Sequence, residues 1–422
     1  MKELAPTSAV PLAYYGFAHA GIAAAFLALA IDPTLPGASF YQPRVVALAH
    51  LLTLAWLSGS ILGSFYVVGP LALRVPMAVG GRDWIAFAGF TAGSVGMVAH
   101  FWVNRYDGMA WSAVLVFVAI AFVGWRAARG LPQATAPWPV TLHVGLAFIN
   151  ILTAALFGMV IGFDRTRGSL GVSPLALMFA HAHVAAIGWA MMMVIGLSYR
   201  LIPMILPAAM PTGASLALSA VLIEAGLALL VVELLRESQE VWIGAMLILA
   251  GLTSFVVHIR RTVAHRLPRP PALPSRDWST WQVHAALVWL LAAAALGLAL
   301  GIGVSDERRL ATMWVYGVAG VVGFLAQIVT GMQGRLVPLY AWYRARGSRG
   351  APPEIAANSL PSATFARAIF LLWAAGVPLL AWGLPARNEI AIRVSALLLL
   401  TGVTTGGAYI VHMLRTARGG QS

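Results

Sequence analysis

The sequence predicts an all-α integral membrane protein whose twelve transmembrane helices form a pseudo-threefold ring of three four-helix repeats. Three observations support this prediction. Of the 422 residues, 60% are hydrophobic and only 10% are charged, which leaves too little polar surface for a water-soluble globule. Twelve apolar runs have the roughly 20 residues that a helix needs to cross a bilayer. Three of these runs also share one pattern of glycine and proline.

The twelve predicted spans follow one another along the chain with short polar connections. The opening residues lack the basic segment and small-residue cleavage pattern of a signal peptide, so we expect the first run to be retained as a span. In order, the runs centre on residues 12–31, 46–73, 84–104, 110–128, 138–162, 174–205, 214–235, 241–260, 279–302, 311–334, 365–384 and 390–414.

Lys and Arg are distributed unequally between the two faces of the predicted bundle. Eighteen of the 27 lie on the side of the N-terminus and nine on the other side. Because basic loops stay inside, this bias predicts that both termini face the cytoplasm, here of a bacterial inner membrane. The basic, proline-rich loops "RRTVAHRLPRPPALPSRD" and "YRARGSRGAPPE" are then cytoplasmic linkers or docking surfaces. The net charge of +13 resides in such short loops, so nucleic-acid binding is excluded.

A repeated pattern relates the second, sixth and tenth spans. Thirteen, sixteen and twenty residues beyond His50 the chain has Gly, Tyr and Pro, and the same offsets from His183 reach the same residue types. In the tenth span Val318 replaces the histidine, while Gly331 and Pro338 keep their offsets. The chain is therefore interpreted as a single membrane domain, 1–422, made of repeats at about 1–130, 131–276 and 277–422. We take histidines near the starts of spans 1, 5 and 9 as further support: His19, His143 and His284.

Four histidines within the outer half of the predicted bundle are candidate metal ligands: His50, His100, His181 and His183. An ionisable side chain in a span is costly and marks a functional site by default. Because residues i and i+2 on a helix do not share a face, His181 and His183 should serve different neighbours. For the remaining histidines within spans a structural hydrogen bond is the favoured interpretation: His19, His143, His258, His284 and His412.

Glu224 is the one carboxylate well inside a predicted span. It has three open interpretations, as a proton-carrying catalytic group, as a neighbour of haem propionates, or as a paired structural group. The chain has no cysteine, which excludes thiolate metal sites and covalent haem attachment. Neutral imidazoles on different helices suit haem b, because two of them give a low-spin iron that transfers electrons. We expect one or two haems.

The segment "HAHVAAIGWAMMMVIGLSYRLIP" resembles the haem-ligating helix of the catalytic subunit I of the haem-copper oxidase and nitric oxide reductase superfamily. The likeness covers the whole chain in architecture and is specific in motif over spans 2 and 6. It implies that His50 and His183 hold a low-spin haem and that His181 is the proximal ligand of a high-spin haem. The family's pair lies on helix 10, whereas here it lies on helix 6, and no His-Pro-Glu-Val-Tyr or His-His segment is present. Copper therefore stays open, with His100 the remaining candidate for a distal metal ligand.

These patterns predict a haem-b-binding membrane protein that passes electrons in a respiratory chain, with a quinol or a cytochrome as donor or acceptor and with other subunits as further candidate partners. A second haem at His181 that binds or reduces nitric oxide or oxygen would make it an oxidoreductase, with Glu224 in the catalytic site. Two alternatives stay open. One is a haem-free, proton-coupled transporter that uses His and Glu224 as relays, and the other is a membrane anchor subunit.

Overall fold

The computed structural model describes residues 5–37, 39–168, 171–268, 277–349 and 356–419. Within these ranges the chain is helical and contains no strand. Twelve helices are long and apolar enough to cross a membrane, as predicted for a membrane protein. We number them α1 Val10–Ile31, α2 Pro43–Leu73, α3 Gly81–Trp102, α4 Tyr106–Gln133, α5 Trp138–Arg167, α6 Pro174–Ile205, α7 Ala214–Leu235, α8 Val241–Ala264, α9 Trp278–Ile302, α10 Asp306–Ser348, α11 Ala363–Ala386 and α12 Glu389–Arg418.

The helices form two compact units. The first comprises Met1–Leu71, Pro271–Leu296 and Ser305–Ser422, and the second comprises Ala72–Pro270 and Gly297–Val304. The first unit thus contains α1, most of α2 and α9, and α10 to α12, while the second contains α3 to α8. These units cut across the predicted repeats, whose boundaries stay a prediction. Parts of both predicted basic linkers, 269–276 and 350–355, lie outside the described residues.

Three of the helices change from α to π winding at the same point of the predicted repeat. These π segments are Leu51–Ser58 in α2, Val184–Met191 in α6 and Val318–Ala326 in α10, and α2 has a further π segment at its end, Gly69–Leu73. The first two begin at the residue after His50 and after His183, and the third begins at the equivalent Val318. π winding inside a longer helix is rare and is frequent at functional sites. Because α10 has it without a histidine, the π segment belongs to the scaffold rather than to the imidazole.

The three π-containing helices each pack on the preceding helix through a glycine thirteen residues into the pattern. A Cβ built on Gly63 would lie 3.2 Å from the carbonyl oxygen of Pro11 in α1. A Cβ on Gly196 would lie 3.6 Å from that of Val140 in α5, and a Cβ on Gly331 would lie 3.1 Å from that of Ser279 in α9. Such close approach of two helix backbones needs small residues.

A second contact, about two turns away, has the same register in all three helix pairs. On α2, α6 and α10 the contact residue lies five residues after the first residue of the pattern. On the preceding helix it lies ten residues after the residue whose carbonyl makes the first contact. The facing residues are Gly21 and Ala55, Asn150 and Gly188, and Trp289 and Gly323. The helix pairs α1–α2, α5–α6 and α9–α10 therefore share one packing register.

The same contacts correct one part of the repeat alignment. His19, His143 and His284 were expected to be equivalent. In the shared register the residues equivalent to His143 are instead Tyr14 in α1 and Gln282 in α9. Each of the three lies three residues after the residue whose carbonyl faces the glycine. His19 lies five residues further along α1. The three histidines look alike in sequence only because each falls near the start of its helix.

Candidate functional site

His50 and His183 have the same local geometry. Each is the last residue of an α-helical stretch, directly before a π segment. The Nδ1 of His50 lies 2.8 Å from the carbonyl oxygen of Val46, and the Nδ1 of His183 lies 2.8 Å from that of Phe179, in each case four residues earlier. A carbonyl only accepts, so Nδ1 carries the proton and the lone pair resides on Nε2. A metal-binding histidine is typically held in this tautomer by such a bond.

This backbone bond alone does not distinguish a ligand. His143 and His258 make the same Nδ1 contact to a carbonyl four residues earlier. Their Nε2 atoms, however, bond to serine hydroxyls, at 2.9 Å from Ser219 and 3.1 Å from Ser215. His143 is fully buried, and its hydroxyl partner also contacts Tyr199. The structural interpretation of these two histidines is in line with these bonds, since both of their ring nitrogens serve hydrogen bonds within the protein.

His181 is oriented by a different helix. Its Nδ1 lies 2.9 Å from the carbonyl oxygen of Ala154 in α5, so this nitrogen is also the donor. Its ring passes Gly158, one turn further along α5, where a Cβ would lie 3.5 Å from Cε1 of the imidazole. His183, by contrast, bonds to its own helix. The two histidines therefore use different neighbours, as their spacing predicted.

Glu224 in α7 pairs with Asn150 in α5. The amide nitrogen of Asn150 donates to Oε2 of Glu224 over 2.8 Å, and Asn150 is 5% exposed. Asn150 packs directly on Gly188, which lies inside the π segment of α6, and a Cβ there would come within 2.8 Å of the Asn150 Oδ1. A glycine in the π segment thus makes room for the amide that binds the carboxylate.

Glu224 and His181 meet the same face of α5. Asn150, Ala154 and Gly158 are spaced four residues apart, so they line one side of that helix. Asn150 binds the carboxylate, and the carbonyl of Ala154 binds the imidazole. The two attachment points are separated by about 6 Å along the axis, from a rise of about 1.5 Å per residue. Glu224 and His181, the two residues predicted as catalytic, are therefore both hydrogen-bonded to α5, one to a side chain and the other to a backbone carbonyl.

His100 in α3 packs on the next helix. Its Nδ1 lies 2.6 Å from the carbonyl oxygen of Gly96, and its ring lies directly against Gly108 of α4. This contact holds the α3–α4 pair together. Among the described residues no group of three or more His, Cys, Asp or Glu is close enough to hold a metal ion by itself. A haem needs only one or two axial ligands from the protein, so that finding does not bear on haem.

The predicted ligands are divided between the two compact units. His50 belongs to the first unit, and His100, His181 and His183 belong to the second. The predicted pairing of His50 with His183 therefore rests on their shared register and local geometry.

The sequence analysis did not identify Asn150 or Ser219 as functional positions. Asn150 is the one carboxamide side chain of the apolar helix α5, and that is the signal by which it could have been found. Its partner Glu224 is 74 residues away in sequence. Searches with the full chain found no protein-family model that matches it and no curated protein that matches it significantly.

Proposed function

We propose that the chain is a haem-b-binding membrane protein, built as a pseudo-threefold ring of three four-helix repeats, that transfers electrons in a respiratory chain. One observation carries this proposal. His50 and His183 occupy the same register on two repeat-related helices, and each donates its Nδ1 proton to a backbone carbonyl. This arrangement leaves the lone pair on Nε2, the atom that binds haem iron in bis-histidine sites. The shared packing register of the three helix pairs supports the ring.

Within this proposal His50 and His183 hold a low-spin haem, and His181 holds a second one. A haem with two imidazole ligands supplies reversible one-electron transfer. The chain fixes the ring of each ligand through a hydrogen bond to a carbonyl, which for His181 comes from Ala154 of the neighbouring helix. A gas-reactive second site needs protons as well as electrons. Glu224 is the carboxyl group that would hold them, and Asn150 positions it.

An optical experiment tests the haem. The purified protein is measured as a reduced-minus-oxidised spectrum and by pyridine haemochrome, with and without carbon monoxide. We expect two haems b per chain. His50→Ala and His183→Ala should each lose the low-spin signal, and His181→Ala should lose the fraction that responds to carbon monoxide.

His258→Ala is the matched control for the ligand variants. Its imidazole also lies in a span and also donates to its own backbone, but its Nε2 bonds to Ser215. Its haem content should equal that of the unmodified chain. A single haem whose spectrum does not change with carbon monoxide would remove the gas-reactive site and leave an electron-transfer cytochrome. A colourless protein after expression with ample haem would refute the haem in both forms.

The proposed orientation places both termini in the cytoplasm of a bacterium, with a quinol or a cytochrome as redox partner. The absence of native cysteine makes this directly testable, because any introduced cysteine is the only thiol. A membrane-impermeant maleimide added to intact cells should label Ser305→Cys, between α9 and α10, and should spare Gly419→Cys, which follows α12. The reverse pattern would invert the topology.

A haem-free, proton-coupled transporter is the second candidate, and the Glu224–Asn150 pair favours it. A carboxyl group inside a helical bundle, bonded to one amide, is typical of proton-coupled sites in transporters. A colourless protein whose transport is abolished by Glu224→Gln, and weakened by Asn150→Leu, would establish this alternative. A red protein whose haem content is unchanged in Glu224→Gln would instead keep the carboxyl group as a proton donor to a haem site.

A further inference from the structure

The first compact unit encloses a cavity of about 30 Å³ that the haem proposal does not use. Its walls come from α1, α2, α9, α10, α11 and α12. Its lining includes the first residues of α9, where Trp278 and Ser279 are partly exposed. It also includes His19, Trp56 and Trp373. The sequence analysis assigned only a structural role to His19 and none to the tryptophans.

Three deeply buried polar atoms belong to residues that line this cavity. They are the indole Nε1 of Trp56, the indole Nε1 of Trp373 and the amide Oε1 of Gln282. These side chains are 1%, 0% and 2% exposed. Among the described residues none of the three atoms has a hydrogen-bond partner. A buried polar group without a partner is costly, and three around one cavity indicate a bound molecule that completes their bonds.

His19 presents its ring to the same space. Its Nδ1 donates to the carbonyl oxygen of Tyr15 over 2.9 Å, which leaves the lone pair on Nε2. The imidazole stands edge-on to Trp56, with ring centroids 4.9 Å apart. A Cβ built on Gly406, which also lines the cavity, would lie 3.5 Å from Nε2 of His19. The glycine therefore keeps this part of the wall open beside the imidazole.

The polar groups and the volume of the cavity indicate which molecule can occupy it. The groups offer two N–H donors and one amide acceptor, and among the described residues no Asp, Glu, Lys or Arg lines the cavity. An ion is therefore not favoured. A water molecule needs roughly 10–15 Å³ of such space, so the cavity has room for two or three waters. Water both donates and accepts, as this set of groups requires.

We propose that the cavity is a hydrated inlet, in which ordered waters bond Trp56, Trp373 and Gln282 and connect the first turn of α9 to the His19 imidazole. His19 lies nine residues inside α1, about 13 Å from its start. The waters would give an imidazole at that depth access to protons from the aqueous surface. This inference stands on residues of the first unit and does not depend on haem.

Radiolytic labelling in ¹⁸O-water tests the inlet. A short X-ray pulse converts bound water into hydroxyl radicals, and mass spectrometry locates the oxygen that they leave on nearby side chains. The full chain in lipid nanodiscs should show labelling of Trp56 and Trp373 several-fold above that of Trp189. Trp189 is also 1% exposed, but it lies outside the cavity, and its indole nitrogen is not among the partnerless atoms. Equal, low labelling of all three would overturn the proposal.

A variant pair adds a second test. Gly406→Val would fill the space beside His19 and should lower the labelling of Trp56 to the level of Trp189. Gly16→Val changes an exposed glycine of α1 that does not line the cavity and where a Cβ would meet no heavy atom within 4 Å, so it should leave the labelling unchanged. Labelling of Trp56 that survives Gly406→Val would show that the radicals come from elsewhere. If that variant does not fold, the comparison within the unmodified chain still decides.

Proton access is measured at the imidazole itself. Deuterium incorporation at the Cε1 carbon of histidine, followed by mass spectrometry, should proceed several-fold faster at His19 than at His143. The second histidine is fully buried, and Pro139 and Ser219 occupy both of its nitrogens. The proposal requires this result together with the labelling of the tryptophans. Equally slow exchange at both histidines would overturn the inlet.

Discussion

Replacing Gly196 by alanine tests the register in which α5 and α6 pack. A Cβ at this position would lie 2.5 Å from the Cβ of His143, whereas ordinary contacts start at 3.4 Å. The two helices would have to separate by about the difference, 0.9 Å, because both atoms are fixed to backbone. Overpacking of this kind costs roughly 1–3 kcal/mol, and the alanine returns about 1 kcal/mol of helix propensity. We expect a net loss of up to about 2 kcal/mol.

The assay is the thermal midpoint of the purified protein in detergent, followed by intrinsic fluorescence. Gly145→Ala on α5 is the matched control, because a Cβ there meets no heavy atom within 4 Å. It should hold or raise the midpoint while Gly196→Ala lowers it. A Gly196→Ala protein that melts at or above the Gly145→Ala control would refute the packing register, and with it the contact that relates the three helix pairs.

Two further predictions concern carboxylates near helix ends. Asp83→Asn breaks the ion pair of Asp83, which is 1% exposed, with Arg126, and should cost about 3 kcal/mol in thermal or chaotrope unfolding. Asp107→Asn, at a carboxylate 64% exposed, should change stability by less than about 1 kcal/mol, and equal losses in the two variants would contradict the burial argument. The pKa of Asp32 is lowered, chiefly because the Thr34 hydroxyl donates a hydrogen bond to its carboxylate. The stability that this carboxylate contributes is therefore present above its unfolded pKa, near 3.9, and is lost as the pH falls through its folded pKa. The thermal midpoint should therefore fall more between about pH 5 and pH 3 in the unmodified chain than in Asp32→Asn, and identical pH profiles would rule out this contribution.

Hydropathy located the spans closely, because bilayer thickness fixes the length of an apolar run. The predicted spans 174–205 and 214–235 coincide with α6 and α7. The prediction for the tenth span ended at 334, whereas α10 continues to Ser348. Beyond Pro338 the helix becomes amphipathic. It buries Ala341 and Ala345 in a cluster with Leu360 and Ala417, so its length there is set by packing on neighbouring segments rather than by hydropathy.

The remaining features depend on contacts that sequence order does not encode. Nothing in the apolar composition of residues 51–58 or 184–191 distinguishes π from α winding. The Asn150–Glu224 pair joins α5 to α7, and the hydrated inlet is lined by six helices from both ends of the chain. Asn150, Glu224 and His19 are each polar residues within apolar runs. Sequence can mark such a residue as unusual, but only the folded bundle shows which group it faces.

The three helix pairs that share one packing register differ in their polar residues. All three keep the π segment and the close glycine contact, so packing alone accounts for these features. What differs between the pairs is polar. At the first position of the pattern the residues are His50, His183 and Val318. At the contact five residues further on, the facing residue of the preceding helix is Gly21, Asn150 or Trp289. Only the second pair combines an imidazole with an amide that binds a carboxylate. A function that used only the shared packing would not need these polar differences. We therefore expect the chemistry of the protein to depend on the residues in which the pairs differ, first those of α5 and α6.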